Sequence, residues 1–299
     1  MEFVRGGNGD NYVMVLDGCL VHSHEFLGVP LIRPSLSFLP GYADINILVY
    51  CNGRLLCRSW TAAGTVRYVV CNPVTEQWAV LPASQAGSIC TARLGFDPAV
   101  SPHFHAFEFV ETDENPVDSY VFINGLKIYS SLTGEWTHRD SGWSDEASLC
   151  HDLTTVFLNG ILHMFASAHQ DVLAVDTEGK AWRTIPVPHG NDDGFIWQSL
   201  GCLYYLNTVE EHDFKLTVFV LEDYSSDEWI FKHSCYSLIA VHPECHLVYF
   251  ISDLDNTIRC YDMDRRKVHV IRNLGCQRDG WKRCLPYVPL FSESFAGWN

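Results

Sequence analysis

The chain has 299 residues, of which 47% are hydrophobic and 19% are charged, so it can bury a large core and is not disordered throughout. Its 20 basic and 36 acidic residues give a net charge of −16 at pH 7. This charge argues against binding to nucleic acid or to an anionic membrane surface, and it favours a basic protein segment as the partner. No apolar run reaches the roughly 20 residues that a membrane-spanning helix needs.

The twelve cysteines indicate buried thiols rather than a disulfide scaffold. The N-terminal sequence MEFVRGGNGD lacks the basic and then apolar pattern of a secretion signal. We therefore expect a cytoplasmic or nuclear protein whose cysteines are reduced. Several of them lie in apolar, strand-like stretches: Cys51, Cys57, Cys71, Cys202 and Cys260.

The N-terminal segment, residues 1–44, differs from the rest of the chain. Residues 12–20 predict a strand or a hairpin, whereas residues 30–42 are too rich in Pro, Ser and Gly for a helix. The segment contains six glycines and no sustained apolar spacing of three and four residues, so we expect no compact helical module in it.

From Ile45 onward a strand–turn–strand pattern recurs, with a tryptophan or another bulky residue shortly after the turn. Trp78, Trp136, Trp182 and Trp229 are separated by 58, 46 and 47 residues, a spacing typical of four-stranded propeller blades. We expect these tryptophans to pack between neighbouring blades. The predicted strands are 45–50, 54–58, 66–71 and 77–81; 93–97, 103–110, 120–130 and 135–139; 154–158, 161–166, 171–176 and 181–185; 195–199, 202–207, 215–221 and 228–233; and 236–242, 245–251, 257–262 and 267–271.

These units predict an all-β fold, a β-propeller that occupies residues 45–299. Five blades are visible in the pattern, and a sixth is expected to combine a strand from the N-terminal segment with one from residues 287–295. Closing the ring in this way would remove open sheet edges. Six blades of four antiparallel strands is the prediction, with seven blades as the alternative.

Five motifs together resemble one known family. CNGRLLCRSW, YVVCNPVTEQWAVLP, LGFDPAVSPHFHAFEF, IYSSLTGEW and YVPLFSES, in this order, are similar to the F-box-associated, kelch-related β-propeller of plant F-box proteins. In that family an F-box binds the Skp-type adaptor of an SCF-type ubiquitin ligase, and the propeller captures the protein to be ubiquitinated. The resemblance covers residues 39–295 and implies target capture. We recognise no F-box in the N-terminal segment, so adaptor binding is expected only if the full-length protein carries one.

The sequence indicates no catalytic residues, no cofactor and no metal site. His103 and His105 would share one face of a strand but lack a third ligand, and Cys276 and Cys284 lack a CxxC pair. We therefore expect a protein that is not an enzyme. The alternative is a free-standing propeller enzyme or small-ligand binder with a site in the central channel, although the predicted innermost strands are mostly apolar.

The candidate binding surface lies in loops that a propeller places on one face, those between strands two and three and those between blades. Five of these loops carry many acidic residues and no Lys or Arg, whereas residues 272–286 are basic. Exposed tryptophans ringed by charge are typical of protein-capture surfaces. The candidate residues are Trp60, Glu111, Asp113, Glu114, Trp143, Asp145, Glu146, Asp192, Asp193, Glu210, Glu211, Trp281 and Arg283.

Overall fold

The computed structural model describes residues 2–5, 11–16, 36, 38–39, 45–60, 66–84, 91–111, 120–143, 148–150, 155–166, 171–188, 194–209, 215–236, 240–241, 247–252, 257–262, 265, 267–273 and 284–287. Strands and turns account for the regular structure of these ranges, which contain no helix, so the all-β prediction is confirmed. In the same ranges there is consequently no helix of the length and hydrophobicity that a membrane crossing requires.

The described chain contains 24 strands. They are β1 (Glu2–Arg5), β2 (Asn11–Leu16), β3 (Ile45–Cys51), β4 (Arg54–Trp60), β5 (Val66–Asn72), β6 (Gln77–Val80), β7 (Ala92–Phe96), β8 (Phe104–Glu111), β9 (Tyr120–Ser130), β10 (Glu135–Asp140), β11 (Ser148–Cys150), β12 (Thr155–Leu158), β13 (Ile161–Ala166), β14 (Asp171–Asp176), β15 (Trp182–Pro186), β16 (Phe195–Ser199), β17 (Cys202–Val209), β18 (Lys215–Leu221), β19 (Trp229–Tyr236), β20 (Ala240–Val241), β21 (Leu247–Ser252), β22 (Thr257–Asp262), β23 (Lys267–Asn273) and β24 (Cys284–Tyr287).

These strands form six sheets, and in five of them four consecutive strands pair in chain order. The five sheets are named here by their order along the chain: the first is β3 to β6, the second β7 to β10, the third β12 to β15, the fourth β16 to β19 and the fifth β20 to β23. The second sheet has an additional short strand, β11, which pairs with β9. Consecutive antiparallel pairing follows from the short turns, because a tight turn can join only antiparallel neighbours.

The predicted units agree closely with the five sheets. Strands β9, β13, β14, β16, β18 and β22 have the predicted bounds. The fifth unit differs most, since β19 continues to Tyr236 while β20 contains only Ala240 and Val241 instead of residues 236–242. Strands β1 and β11 were not predicted.

The sixth sheet joins strands from both ends of the chain, in the order β1-β2-β24. Strands β1 and β2 form an antiparallel hairpin, and β2 runs parallel to β24 with Val13 opposite Cys284. The sheet has three described strands rather than four. Its C-terminal strand begins at Cys284, whereas the sequence pattern placed it within residues 287–295, most of which lie outside the described residues.

The first turns of three sheets share a left-handed backbone. Asn52 and Gly53 have φ of 43° and 84°, and Asn159 and Gly160 have φ of 52° and 78°, as a two-residue hairpin turn requires. In the fourth sheet the equivalent turn is Leu200–Gly201, with φ of 51° and 75°. Leucine tolerates this conformation less well than asparagine, because the short polar side chain of asparagine can hydrogen-bond to the nearby backbone.

The chain divides into two compact units. One contains residues Met1–Glu108, Lys127–His138 and Asp279–Asn299, and the other Phe109–Leu126 and Arg139–Arg278. In the first unit, Ile47, Leu55, Val69 and Cys71 belong to a buried cluster on which Trp78 packs. In the second, a cluster centred on Phe165, Ile196 and Tyr205 is partly covered by Trp229. Both clusters form because the strands either alternate apolar and polar residues, or are apolar and buried on both faces.

Five cysteines whose side chains the structure describes are free thiols, as predicted. Cys51, Cys57, Cys71 and Cys260 are buried, while Cys202 is half-buried. Burial raises the pKa of the Cys51 thiol to about 12, although the thiol donates a hydrogen bond to the carbonyl of Phe96 (3.3 Å). These cysteines therefore act as small apolar packing groups.

Candidate interaction surface

Trp143 is the predicted surface residue whose side chain the structure describes, and it is buried. Only 7% of its surface is exposed. Its ring stacks on Phe109 at 6.4 Å and meets the edge of Trp182 at 4.5 Å, and its indole N–H donates to the carbonyl of Arg183 (3.2 Å). The prediction that Trp143 is an exposed anchor is therefore wrong. A neighbouring sheet covers it.

Gly142 explains how the chain approaches Trp182 so closely. A Cβ built on Gly142 would lie 2.4 Å from two ring atoms of Trp182, which is far inside van der Waals contact. Only glycine fits at this position without displacement of the indole. We call the cluster of Phe109, Trp143 and Trp182 the aromatic seam, since it joins the second and third sheets within the second compact unit.

The third and fourth sheets meet through polar contacts. His163 Nε2 lies 2.9 Å from the hydroxyl of Tyr224, and His163 Nδ1 lies 3.3 Å from the carbonyl oxygen of Val156. A neutral ring satisfies both contacts if Nδ1–H donates to Val156 and Nε2 accepts from Tyr224. Burial lowers the pKa of His163 to about 4, so the ring is neutral at physiological pH.

Arg183 completes this contact from the outermost strand of the third sheet. Its guanidinium donates to the carbonyl of Tyr224, forms an ion pair with Asp227 and lies over the Tyr224 ring at 4.5 Å. Burial raises the pKa of the Tyr224 hydroxyl, which keeps it a hydrogen-bond donor. We call His163, Arg183, Tyr224 and Asp227 the polar seam.

Two of the four repeated tryptophans link successive sheets in the same way, as predicted. The indole N–H of Trp136 donates to the carbonyl of Pro82 (3.0 Å), and that of Trp229 donates to the carbonyl of Pro186 (2.8 Å). Each acceptor lies at the end of the outermost strand of the preceding sheet, or just beyond it. Trp182 instead donates to Gly179 within its own turn (3.0 Å), because its ring is engaged with Trp143.

Buried charge in the first unit is held by similar structural contacts. Arg54 is among the largest fully buried side chains; its guanidinium lies 3.7 Å from the Phe96 ring centroid and donates to the carbonyl of Pro102 (3.3 Å). Glu108 pairs with Lys127 at 3.4 Å and accepts a hydrogen bond from Ser84. Sequence patterning missed these residues, because a lone charge within a strand gives no sign of its burial.

His103 and His105 do not form a metal site with other described residues. Burial is the main reason that the pKa of His105 falls to about 4, and repulsion from His103 contributes. Within the described ranges no group of three or more His, Cys, Asp or Glu side chains is placed to hold a metal ion.

The acidic candidates belong to loops that leave each sheet on one side. Antiparallel pairing puts the end of the second strand, the start of the third and the end of the fourth at the same end of a sheet. In the fourth sheet, for example, Val209 lies opposite Lys215, which lies opposite Tyr236. The third and fifth sheets have the same register, with Ala166, Asp171 and Pro186 aligned in one and Ser252, Thr257 and Asn273 in the other.

Most of the predicted surface residues lie outside the described residues. Trp60 and Glu111 are the final backbone positions of β4 and β8, at the loop-bearing end of their sheets. The candidates outside the described residues are Asp113, Glu114, Asp145, Glu146, Asp192, Asp193, Glu210, Glu211, Trp281 and Arg283.

Sequence comparison connects this chain to plant F-box proteins. It is 27% identical over 228 residues to the F-box protein At5g07610 of Arabidopsis thaliana, which covers 70% of this chain and 53% of that protein. It is 25% identical over 210 residues to the F-box protein At5g49610 of the same plant, covering 62% of this chain and 54% of that protein. The chain thus spans about half the length of these relatives.

Solved structures that align with the chain include the nidogen/laminin complex, with a TM-score of 0.46, 11% identity and coverage of 79% of this chain and 82% of that chain. A puromycin-hydrolyzing peptidase of Mycobacterium tuberculosis aligns with a TM-score of 0.47, 13% identity and coverage of 79% and 39%. Structural similarity at this level does not indicate a shared function.

A family model gives the more direct result. The model for the β-propeller of F-box protein At3g26010-like proteins matches residues 31–287, which is most of the chain. The match agrees with the all-strand structure and with its series of four-stranded antiparallel sheets, so the predicted β-propeller class is confirmed. The chain therefore belongs to the At3g26010-like family of F-box protein β-propellers.

Proposed function

We propose that this propeller is the target-recognition region of an F-box-type ubiquitin ligase receptor, and that it captures a protein with a basic segment through its acidic loops. Membership of an F-box protein family supports a role in protein interaction. The observation that carries the proposal is the strand register, because the acidic loops connect to the same end of their sheets. The net charge of −16 supports a basic partner.

The test is a pair of variants that change charge equally at the two ends of the sheets. The first variant neutralises five candidates by the substitutions Glu111→Gln, Asp113→Asn, Glu114→Gln, Asp145→Asn and Glu146→Gln. The matched control neutralises five exposed acids at or beside the turns of the opposite end, by Glu76→Gln, Glu135→Gln, Glu178→Gln, Glu222→Gln and Glu228→Gln. Both raise the net charge by the same amount, so any difference reports position.

Both variants and the wild-type protein serve as baits in an extract of the source tissue, and captured proteins are quantified by mass spectrometry at several salt concentrations. We expect the loop variant to lose the salt-sensitive targets that the wild type and the control retain. Equal capture by all three baits at every salt concentration would show that these loops do not recognise the target.

The link to the ligase has a separate test. Since we recognise no F-box in residues 1–44, we expect the 299-residue chain alone not to bind a purified Skp-type adaptor. Binding with a stoichiometry of one to one would contradict this expectation. It would leave the proposal about the acidic loops standing.

We further propose that the propeller performs no chemistry of its own. The buried ionisable groups of the described part are engaged in packing contacts, as His163 is with Tyr224 and Glu108 is with Lys127. A purified protein that retains a stoichiometric metal ion after dialysis would contradict this proposal, and would favour the alternative of a channel site.

A further inference from the structure

The last strand of the fifth sheet, β23, is the outer edge of that sheet in the described part of the chain. The sheet has the order β20-β21-β22-β23, and in the described part of the chain β23 pairs only with β22. One row of its backbone N–H and C=O groups therefore faces away from the sheet. Such an edge can accept a further strand.

The side chains of β23 are unusual for an outermost strand. Val268 is 49% exposed and Val270 is 64% exposed, and because they are two positions apart they share one face. Lys267 and His269 are exposed on the opposite face. By contrast, the exposed residues of β10 in the second sheet are all polar.

Among the described strands, β19 is another outermost strand with exposed apolar side chains, but some of its side chains already contact other residues of the fourth sheet. In β19, Phe231 packs against the edge of Phe219 at 5.7 Å, and the adjacent Lys232 forms an ion pair with Glu222. The exposed groups of β19 are thus partly engaged within their own sheet. This difference makes β23 the stronger docking candidate.

The charge around β23 is opposite to that of the chain. Residues 265–278 contain five of the 20 Lys and Arg residues and no Asp or Glu, in a chain of net charge −16. Arg265 and Lys267 in this stretch are exposed. A local basic strand in an acidic protein attracts an acidic segment.

We propose that the edge of β23 binds an extended segment of a partner protein in which acidic and apolar residues alternate. Addition of a strand would give hydrogen-bond partners to the outward row of backbone groups. The pleat would then place the apolar side chains beside Val268 and Val270 and the carboxylates beside Lys267 and His269, since both strands have a period of two. This proposal uses different residues from the acidic loops and does not depend on them.

Fluorescence anisotropy with synthetic eight-residue peptides tests the proposal on the full chain. The probe alternates valine and glutamate. One control replaces glutamate with lysine, a second has the composition of the probe in two blocks, and a third carries N-methyl groups on alternate amides. We expect the probe to bind at least tenfold more tightly than each control, and bound probe to slow hydrogen exchange of the β23 amides.

Protein variants locate the site. Val268→Thr combined with Val270→Thr should weaken binding of the probe, whereas Ile230→Thr on β19 should not. Lys267→Glu should shift preference toward the lysine peptide, and Lys180→Glu in a turn of the third sheet should not. The valines are exposed and threonine suits a strand, so these variants should fold.

Two results would overturn the proposal. If the block peptide or the N-methylated peptide bound as tightly as the probe, the attraction would be one of charge alone, without strand addition. If the probe bound every protein variant equally, the site would lie elsewhere than β23.

Discussion

The aromatic seam and the polar seam join consecutive sheets of the same compact unit by different chemistry. In the aromatic seam Trp143 lies between Phe109 and Trp182, and neither contact involves an ionisable group. In the polar seam a buried neutral histidine bonds a tyrosine, and an arginine pairs with an aspartate. The stability of the contact between two sheets therefore depends on how well the rings fill space in the aromatic seam, and on the protonation state of a histidine in the polar seam.

Removal of the central ring should have the largest effect on stability. Trp143→Ala would leave a cavity between Phe109 and Trp182 and an acceptor at Arg183 without its indole donor. We expect the free energy of unfolding to fall by about 3–5 kcal/mol, equally at pH 5 and pH 7.5. Chemical denaturation at both pH values measures it, with Trp143→Phe as the milder control. A loss that changed with pH would contradict the assignment of this seam to packing alone.

Lowering the pH should destabilise the polar seam. The folded-state pKa of His163 is about 4, below the ordinary value of 6.5, so the unfolded chain takes up this proton first as the pH falls. The stability contributed by neutral His163 is complete above pH 6.5 and is lost as the pH approaches 4, by about 3 kcal/mol.

His163→Gln removes this titration while it keeps a polar group beside Tyr224. Denaturation curves between pH 7 and pH 4 should therefore be less steeply dependent on pH for this variant than for the wild type. Trp143→Phe, in the other seam, should keep the wild-type slope. Parallel slopes for His163→Gln and the wild type would refute the role of the polar seam.

Adding a methyl group beside the aromatic seam tests its packing by overfilling it rather than by leaving a cavity. Gly142→Ala places a methyl group 2.4 Å from ring atoms of Trp182, so the indole or the backbone must move. We expect a loss of about 1–3 kcal/mol. Thermal unfolding and the fluorescence spectrum of the tryptophans report it. An unchanged melting temperature would mean that this seam is looser than the contact distances indicate.

The smallest effect is expected in a turn outside both seams. Leu200 is 51% exposed and has φ of 51°, which asparagine adopts more readily. Leu200→Asn should raise the free energy of unfolding by about 0.5–1 kcal/mol. The reciprocal change Asn159→Leu, in the equivalent turn of the third sheet, should lower it. If both changes had the same sign, backbone conformation would not be the cause.

Strand bounds could be predicted well because they depend on local chemistry. Alternation of apolar and polar residues defines a strand, and Asn52-Gly53 or Asn159-Gly160 defines where the chain turns. The Leu200–Gly201 turn has only its glycine as a local signal. Its place had to be inferred from the strands on either side.

The candidate surface could be predicted less well, because burial of a loop residue depends on distant sequence. Trp143 lies in the polar stretch SGWSDE, which indicated exposure. Its actual partners, Phe109 and Trp182, lie 34 and 39 residues away along the chain and on different sheets. No local pattern records such a contact. Arg183 and Tyr224 escaped notice for the same reason.

The parallel pairing of β2 with β24 has a consequence for biosynthesis. Val13 is synthesised 271 residues before its neighbour Cys284. The β1–β2 hairpin must wait for that strand, and a two-stranded hairpin alone is only marginally stable in water. Nascent chains stalled before Cys284 would therefore expose the hairpin to chaperones, and this sheet can form only after the five sheets between its strands have been synthesised.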